Sequence, residues 1–155
     1  MKKRKKVCFI SSAGGHFEQI KMLGMVAEKY DHYYVVPKNK SLASLSDKMY
    51  FVCDISRQNK LTFLFKFILS GFQQLIIFIK EHPDVVITTG AGVAVPTCII
   101  ARALSKKVVY IESFARIHSL NKTGKMLSRF SGLFIVQWKS LLKLNPKAVY
   151  GGWLY

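Results

Sequence analysis

The run Val7-Cys8-Phe9-Ile10, cut off by Ser11-Ser12-Ala13-Gly14-Gly15-His16, constrains the fold more than any other stretch of the chain. An unbroken apolar run of this length reads as a short strand buried on both faces. Gly14-Gly15 then permits a sharp turn with positive φ. From His16 onward Phe17, Ile20, Leu23, Val26, Ala27 and Tyr30 recur at helical spacing, so a helix begins near His16. A strand feeding a helix through a glycine turn gathers free backbone N–H groups and a positive dipole end at one spot. Phosphate or another anion is favoured there. His16 could accept a proton from a bound hydroxyl or donate to an anion. The same turn would also serve an α/β protein with no ligand, and a histidine at a helix start is commonly just solvated.

The alternation continues. Apolar strand runs fall at 33–36, closed by Pro37, and at 50–53, 85–89, 108–111 and 133–136. Helical spacing fits 61–80, 96–105 and 123–130, with a further helical candidate at 138–144. A polar loop carrying Ser41, Ser44 and Ser46 fills 38–48. Continuous apolar strands alternating with helices specify an α/β fold, a doubly wound and mostly parallel sheet of Rossmann type. With 155 residues the expectation is one such domain over 7–155 behind a basic tail at 1–6.

The stretch from Leu61 to Lys80 is about long enough to cross a bilayer. Lys66, Gln73 and Gln74 interrupt it, and a central Lys costs roughly 2.5–3.5 kcal/mol on insertion scales. Thr62, Lys66, Ser70 and Gln73/Gln74 share one helical stripe and leave a wide apolar arc. Two placements follow: a well-buried core helix, or a helix whose spare apolar surface meets a membrane or a partner subunit. In neither does it span.

Charge supplies the next constraint. Twenty-four Lys and Arg face eight Asp and Glu, a net charge of +16, and no acid follows Glu112. That balance calls for a polyanionic neighbour: nucleic acid, an anionic membrane surface or phosphorylated substrates. Lys2-Lys3-Arg4-Lys5-Lys6 beside an anionic leaflet would contribute on the order of 1 kcal/mol per cation, or would serve only as a solubilising tail. The apolar run after it is too short for a signal peptide, so the expected side of the membrane is cytoplasmic. Cys8, Cys53 and Cys98 each sit in an apolar run without C-x-x-C spacing and read as buried small hydrophobes, not staples or metal ligands. No metal and no cofactor is expected. There is no G-x-G-x-x-G after the first strand, no P-loop and no G-x-S-x-G elbow. The cations are scattered and no nucleic-acid motif emerges, so nucleic acid is not the expected partner.

Ligands of open parallel sheets sit beyond the carboxyl ends of the strands, and three such ends are chemically loaded. Ser11 to His16 is the first. Thr88-Thr89-Gly90-Ala91-Gly92, leading to Pro96, is the second glycine-flanked helix start. At the third, Glu112, Ser113 and Arg116 bring a carboxylate, a hydroxyl and a guanidinium off one strand. Glu112 could accept from sugar hydroxyls or orient His16, and Arg116 could clamp a phosphate bidentately. Alternatively the glycines serve only turns, and Glu112 only caps a helix or pairs with Arg116.

These motifs, with the closing Tyr150-Gly151-Gly152-Trp153, resemble the anchoring-subunit family of two-chain UDP-sugar transferases over nearly the whole chain. Its eukaryotic member helps add the second GlcNAc to the dolichol-linked precursor of N-glycans, and bacterial members act in capsule and exopolysaccharide pathways. The Gly-Gly-His loop is also similar to that of the transferase making lipid II. The resemblance implies the amino-terminal, acceptor-side half of a GT-B glycosyltransferase, inactive or weakly active alone, with a separate chain holding the UDP-sugar. It implies that Gly14, Gly15, Gly90 and Gly92 cradle the acceptor's pyrophosphate, and Ser12, Ser113 and Arg116 complete the candidate acceptor and phosphate-binding set. His16 would be general base, and Glu112 would join the catalytic set as a polar organiser of the cleft. Transfer would invert the anomeric carbon. Eukaryotic members carry an amino-terminal span, whereas here only Met1 to Lys6 precede the first strand. The expectation is therefore a peripheral protein on the cytoplasmic face of the plasma membrane, of the capsule or exopolysaccharide branch. The rivals are a self-sufficient small glycosyltransferase and a basic nucleic-acid-binding module.

Overall fold

The computed structural model describes residues 4–39, 47–55 and 59–154. A seven-stranded, all-parallel sheet comprises β1 (Lys6–Ile10), β2 (Asp31–Pro37), β3 (Met49–Val52), β4 (Val85–Thr88), β5 (Lys107–Ile111), β6 (Leu133–Val136) and β7 (Val149–Tyr150). Their spatial order is β3-β2-β1-β4-β5-β6-β7. The chain winds from β1 to one edge and then restarts beside β1 at β4, so Phe9 lies between Tyr34 and Ile87. Such a reversal opens a crevice at the carboxyl ends of the two central strands.

Strand residues alternate between two apolar layers, as the pleat requires. Cys8, Ile10, Val35, Val86 and Val108 pack under α3 (Lys60–Glu81), α4 (Ala94–Ala103) and α5 (Lys122–Leu127). Val7, Phe9, Tyr34, Val36 and Ile87 meet Phe17, Ile20, Leu23 and Ala27 from α1 (Gly15–Lys21) and α2 (Gly24–Ala27). The doubly wound α/β expectation is met.

Several details differ. The helix expected from His16 breaks where Leu23 leaves helical geometry (φ −82°, ψ 19°) ahead of Gly24. The helical candidate at 138–144 takes the tighter 3-10 form, over Lys139–Lys143. β7 was not anticipated, because two residues carry no readable period. Lys6 belongs to β1, with Nζ 3.1 Å from Glu81 and 3.4 Å from Asp31, so the basic head ends sooner than expected. Lys2, Lys3, Ser41, Ser44 and Ser46 lie outside the described residues. All three cysteines are free, Cys8 and Cys98 buried but Cys53 only half-buried.

The well-buried placement of α3 is overturned. Leu61, Phe65, Ile68 and Phe72 are 80%, 69%, 62% and 62% exposed, while Ser70, Gln74 and Phe78 face inward. Buried Gln74 accepts from the Thr97 amide (3.0 Å) and hydroxyl (2.6 Å) on α4 and donates to the Ser70 hydroxyl (2.9 Å). At the carboxyl end of α3, Glu81 accepts from Lys6, Lys48 and Tyr50. Its burial works against ionisation, yet these donors hold its carboxyl at about 2.

Candidate functional site

Gly90 is where three strand ends meet. A Cβ built there would stand 3.0 Å from Asn121 Nδ2, 3.0 Å from the Tyr110 hydroxyl and 3.6 Å from His16 Cε1. Its φ of 108° lies in the region that favours glycine. The preceding threonines fasten the turn. Thr88 Oγ1 accepts from the Gly90 amide at 3.0 Å, and Thr89 Oγ1 donates to the His16 carbonyl at 2.9 Å. Gly14, also at positive φ (82°), starts α1 by accepting from the Phe17 and Glu18 amides.

Beside this junction lies a cavity of about 280 Å³ lined by His16, Ala91, Gly92, Arg116, Asn121, Lys122 and Thr123. It sits at the carboxyl ends of β1, β4 and β5, where the crevice of a doubly wound sheet is expected. Two cations and no carboxylate line it, so its field selects anions. Ser12 falls instead in an adjoining cavity of about 170 Å³, with Pro37, Asp54, Ile55, Phe63 and Val93. Ala91 and Gly92 belong to both walls. Ala91 holds φ 77°, a strained value for a residue with a Cβ.

His16 is half-buried. Burial, aided by the positive charge of Arg116, pushes its imidazole below the ordinary histidine value, against the Thr89 contact. The neutral ring can therefore accept a proton near neutral pH. Its Nδ1 is buried with no hydrogen-bond partner among the described residues.

Glu112 is fully buried and stands behind the cavity, not in its wall. Its Oε1 accepts from the Ser113 amide at 2.9 Å and from Asn121 Nδ2 at 2.8 Å, and its Oε2 from the Asn121 amide at 3.2 Å. Burial raises its carboxyl despite these donors. Asn121 in turn caps α5 by accepting from the Gly124 amide. A Cβ on Gly124 would collide with the buried Glu112 Oε2, so that glycine is a packing requirement. Glu112 thus positions the loop that carries Asn121 and Lys122.

The Ser113–Arg116 turn is braced from below. Trp138 Nε1 donates to the Phe114 carbonyl at 2.7 Å, and the rings of Phe114, Trp138 and Trp153 pack at 5.0–5.8 Å between centroids. Gln137 ties the last segment to this loop, donating to the Glu112 carbonyl and accepting from the Leu154 amide.

Of the residues expected from sequence, His16, Gly92 and Arg116 share the cavity wall, Gly90 lies beneath it, and Ser12 is one cavity away. Gly14, Gly15 and Ser113 shape the turns behind the wall without lining it. Asn121, Lys122 and Thr123 were missed as site residues. Asn121 followed three positions later by Gly124 was the readable signal, a helix cap at a crowded turn.

The fold matches solved structures at low identity. MurG of Acinetobacter baumannii aligns with TM-score 0.73 at 20% identity over 88% of this chain. UDP-N-acetylglucosamine 2-epimerase of Rickettsia bellii aligns with TM-score 0.72 at 13% identity over 97%. The chain spans only 42% and 45% of those two proteins, and it is a Rossmann-like domain resembling the amino-terminal halves of GT-B glycosyltransferases. By sequence it is 27% identical to the mouse UDP-N-acetylglucosamine transferase subunit ALG14, over 95% of this chain and 82% of that one. It is 28% identical to the human subunit over 94% and 81%. These relatives are eukaryotic subunits, and their names give no support to the capsule and exopolysaccharide part of the expectation. With residues 7–154 matching the family model described as oligosaccharide biosynthesis protein Alg14 like, the chain belongs to the Alg14-like family.

Proposed function

We propose that this chain is the membrane-side subunit of a two-chain UDP-N-acetylglucosamine transferase that extends a lipid-linked oligosaccharide. A partner chain binds the UDP-sugar, and this chain presents the diphosphate-linked acceptor. The anion-selective cavity at the central crevice, walled by His16, Arg116 and Lys122, carries the reading. The relatives' names supply the sugar and the heteromer.

In this reading Arg116 and Lys122 hold the acceptor's diphosphate. Neutral His16 takes the proton as the acceptor hydroxyl attacks the anomeric carbon. The bond from that carbon to UDP breaks on the opposite face, so UDP leaves with the electron pair and the configuration inverts. Glu112 contributes indirectly, by fixing Asn121.

The test combines this chain, a candidate partner, UDP-N-acetylglucosamine and a diphosphate-linked acceptor. Turnover is expected only with both chains. Full turnover by this chain alone would make it a self-sufficient transferase, and tight RNA or duplex binding at physiological salt, with no liposome binding, would favour a nucleic-acid module.

A further inference from the structure

α3 is built inside out. Leu61, Leu64, Phe65, Ile68, Phe72 and Ile76 recur three and four positions apart and all face outward. The inward face is mixed: Phe78 and Ile77 join the core near its carboxyl end, while Ser70, Gln73 and Gln74 fill its middle. Gln74 is clamped to Thr97, Gln73 accepts from the Cys53 amide at 2.7 Å, and Gly71 faces Pro96. A surface helix of a globular protein ordinarily turns its apolar stripe to the core. Here Phe78, Ile77 and the glutamine hydrogen bonds hold the helix, and a longer apolar stripe is left over on the outward face.

We propose that α3 lies flat in the surface of an anionic bilayer, its outward stripe sunk at the boundary between headgroups and acyl chains. The proposal rests on the membrane-side reading above and names the surface that does the docking. From Leu61 to Ile79 the stripe runs about 27 Å at helical rise. Three observations choose the occupant. The first is charge: exposed Lys80 ends α3, exposed Arg102 lies on neighbouring α4, and Lys122, Lys125 and Arg129 are exposed around α5 on the same side of the sheet. Apolar stripes flanked by cations are what anionic lipid surfaces take up. A second copy of this chain would instead bring +16 against +16. The second is the tether. Gln73, Gln74 and Glu81 bind α3 to β3, α4 and β1, so a spanning pose would drag sheet backbone into hydrocarbon. The third is continuity with the site. Phe63, in the first turns of α3, lines the smaller cavity with Ser12, Ala91 and Gly92. A lipid tail in the bilayer would thereby lead to the diphosphate seat.

The test uses the full chain and sedimentation with vesicles of equimolar phosphatidylcholine and phosphatidylglycerol. Combining Phe65→Ser, Ile68→Ser and Phe72→Ser should lower partitioning at least about tenfold, with unchanged circular dichroism because these side chains are exposed. Phe65→Leu should bind like the parent. Independently, a tryptophan introduced by Ile68→Trp should be quenched by brominated acyl chains. Parent-like partitioning of the triple variant, or no added quenching, overturns the proposal. Loss of a dimer or of the partner chain with vesicle binding intact overturns it in favour of a protein interface. A short-chain, water-soluble acceptor assayed with the partner and no vesicles separates the two readings. The triple variant should keep parent rates there, whereas an inactive parent would sink the transferase reading and leave the docking result standing.

Discussion

The Thr89 hydroxyl donates to the main-chain oxygen of His16 at 2.9 Å, across 73 positions of sequence. One bond therefore sets the distance between the histidine turn and the turn that carries Gly90 and Gly92. Thr89→Val removes the donor and with it the tie between the two turns, while the His16 carbonyl keeps its place in the first turn of α1. The expected loss is about 1–2 kcal/mol of stability, with roughly tenfold lower transferase activity alongside the partner. Thermal unfolding and initial rates check both.

His16→Gln should reduce kcat by about 100-fold while the fold is kept, since the ring's Nδ1 has no partner to lose. The lowered imidazole also fixes a pH signature. An unfolded chain takes up a proton near the ordinary value of 6.5, whereas the folded chain resists it. The stability this group gives is therefore present above 6.5 and lost as the pH falls through the lowered folded value. His16→Gln should flatten that acid decline in a stability profile taken from neutral pH downward.

Glu112 has the opposite sign. Its carboxyl is raised by burial, so its contribution is greatest below the ordinary 4.5 and diminishes as the pH rises through the folded value. Glu112→Ala strands the Ser113 and Asn121 amides and should cost about 1–3 kcal/mol. Glu112→Gln should cost less, and its deficit relative to the parent should shrink as the pH rises. Denaturant unfolding across that range measures it.

The local part of this architecture was legible from residues close together in sequence. Val7 to His16 shows a strand, a glycine turn and a helix start within a few positions, and the structure places them so. That Asn121 and Lys122 would close the cavity was not legible, because they reach it through buried Glu112, nine positions upstream. The α3 stripe was legible as a stripe. Spacing shows which residues share a helical face, but the face that packs was decided by Thr97 and Cys53 meeting the glutamines.

Arg116 is exposed and lies on the cavity wall, so Arg116→Gln should leave stability within about 0.5 kcal/mol. The acceptor KM should rise about tenfold with little change in kcat, as loss of a charge-assisted contact requires. Adding Lys122→Gln should raise it further. Titrating acceptor at saturating UDP-sugar distinguishes a binding effect from a chemical one.

Gly90→Ala tests whether the junction tolerates any side chain. The φ of 108° and the 3.0 Å approaches of Tyr110 and Asn121 act in the same direction. A loss above about 1 kcal/mol is expected, together with loss of turnover. Thermal melts and a two-chain assay of the same preparation read the outcome.

Because glutamines help fasten α3 while Leu61, Leu64, Phe65 and Phe72 face out, the purified protein should be colloidally fragile. In dilute buffer the excess of cations keeps molecules apart. Added electrolyte screens that repulsion within roughly 10 Å at 0.1 M and leaves the greasy strip unopposed. Clouding on raising ionic strength, cleared by mild detergent, is the behaviour such a surface dictates.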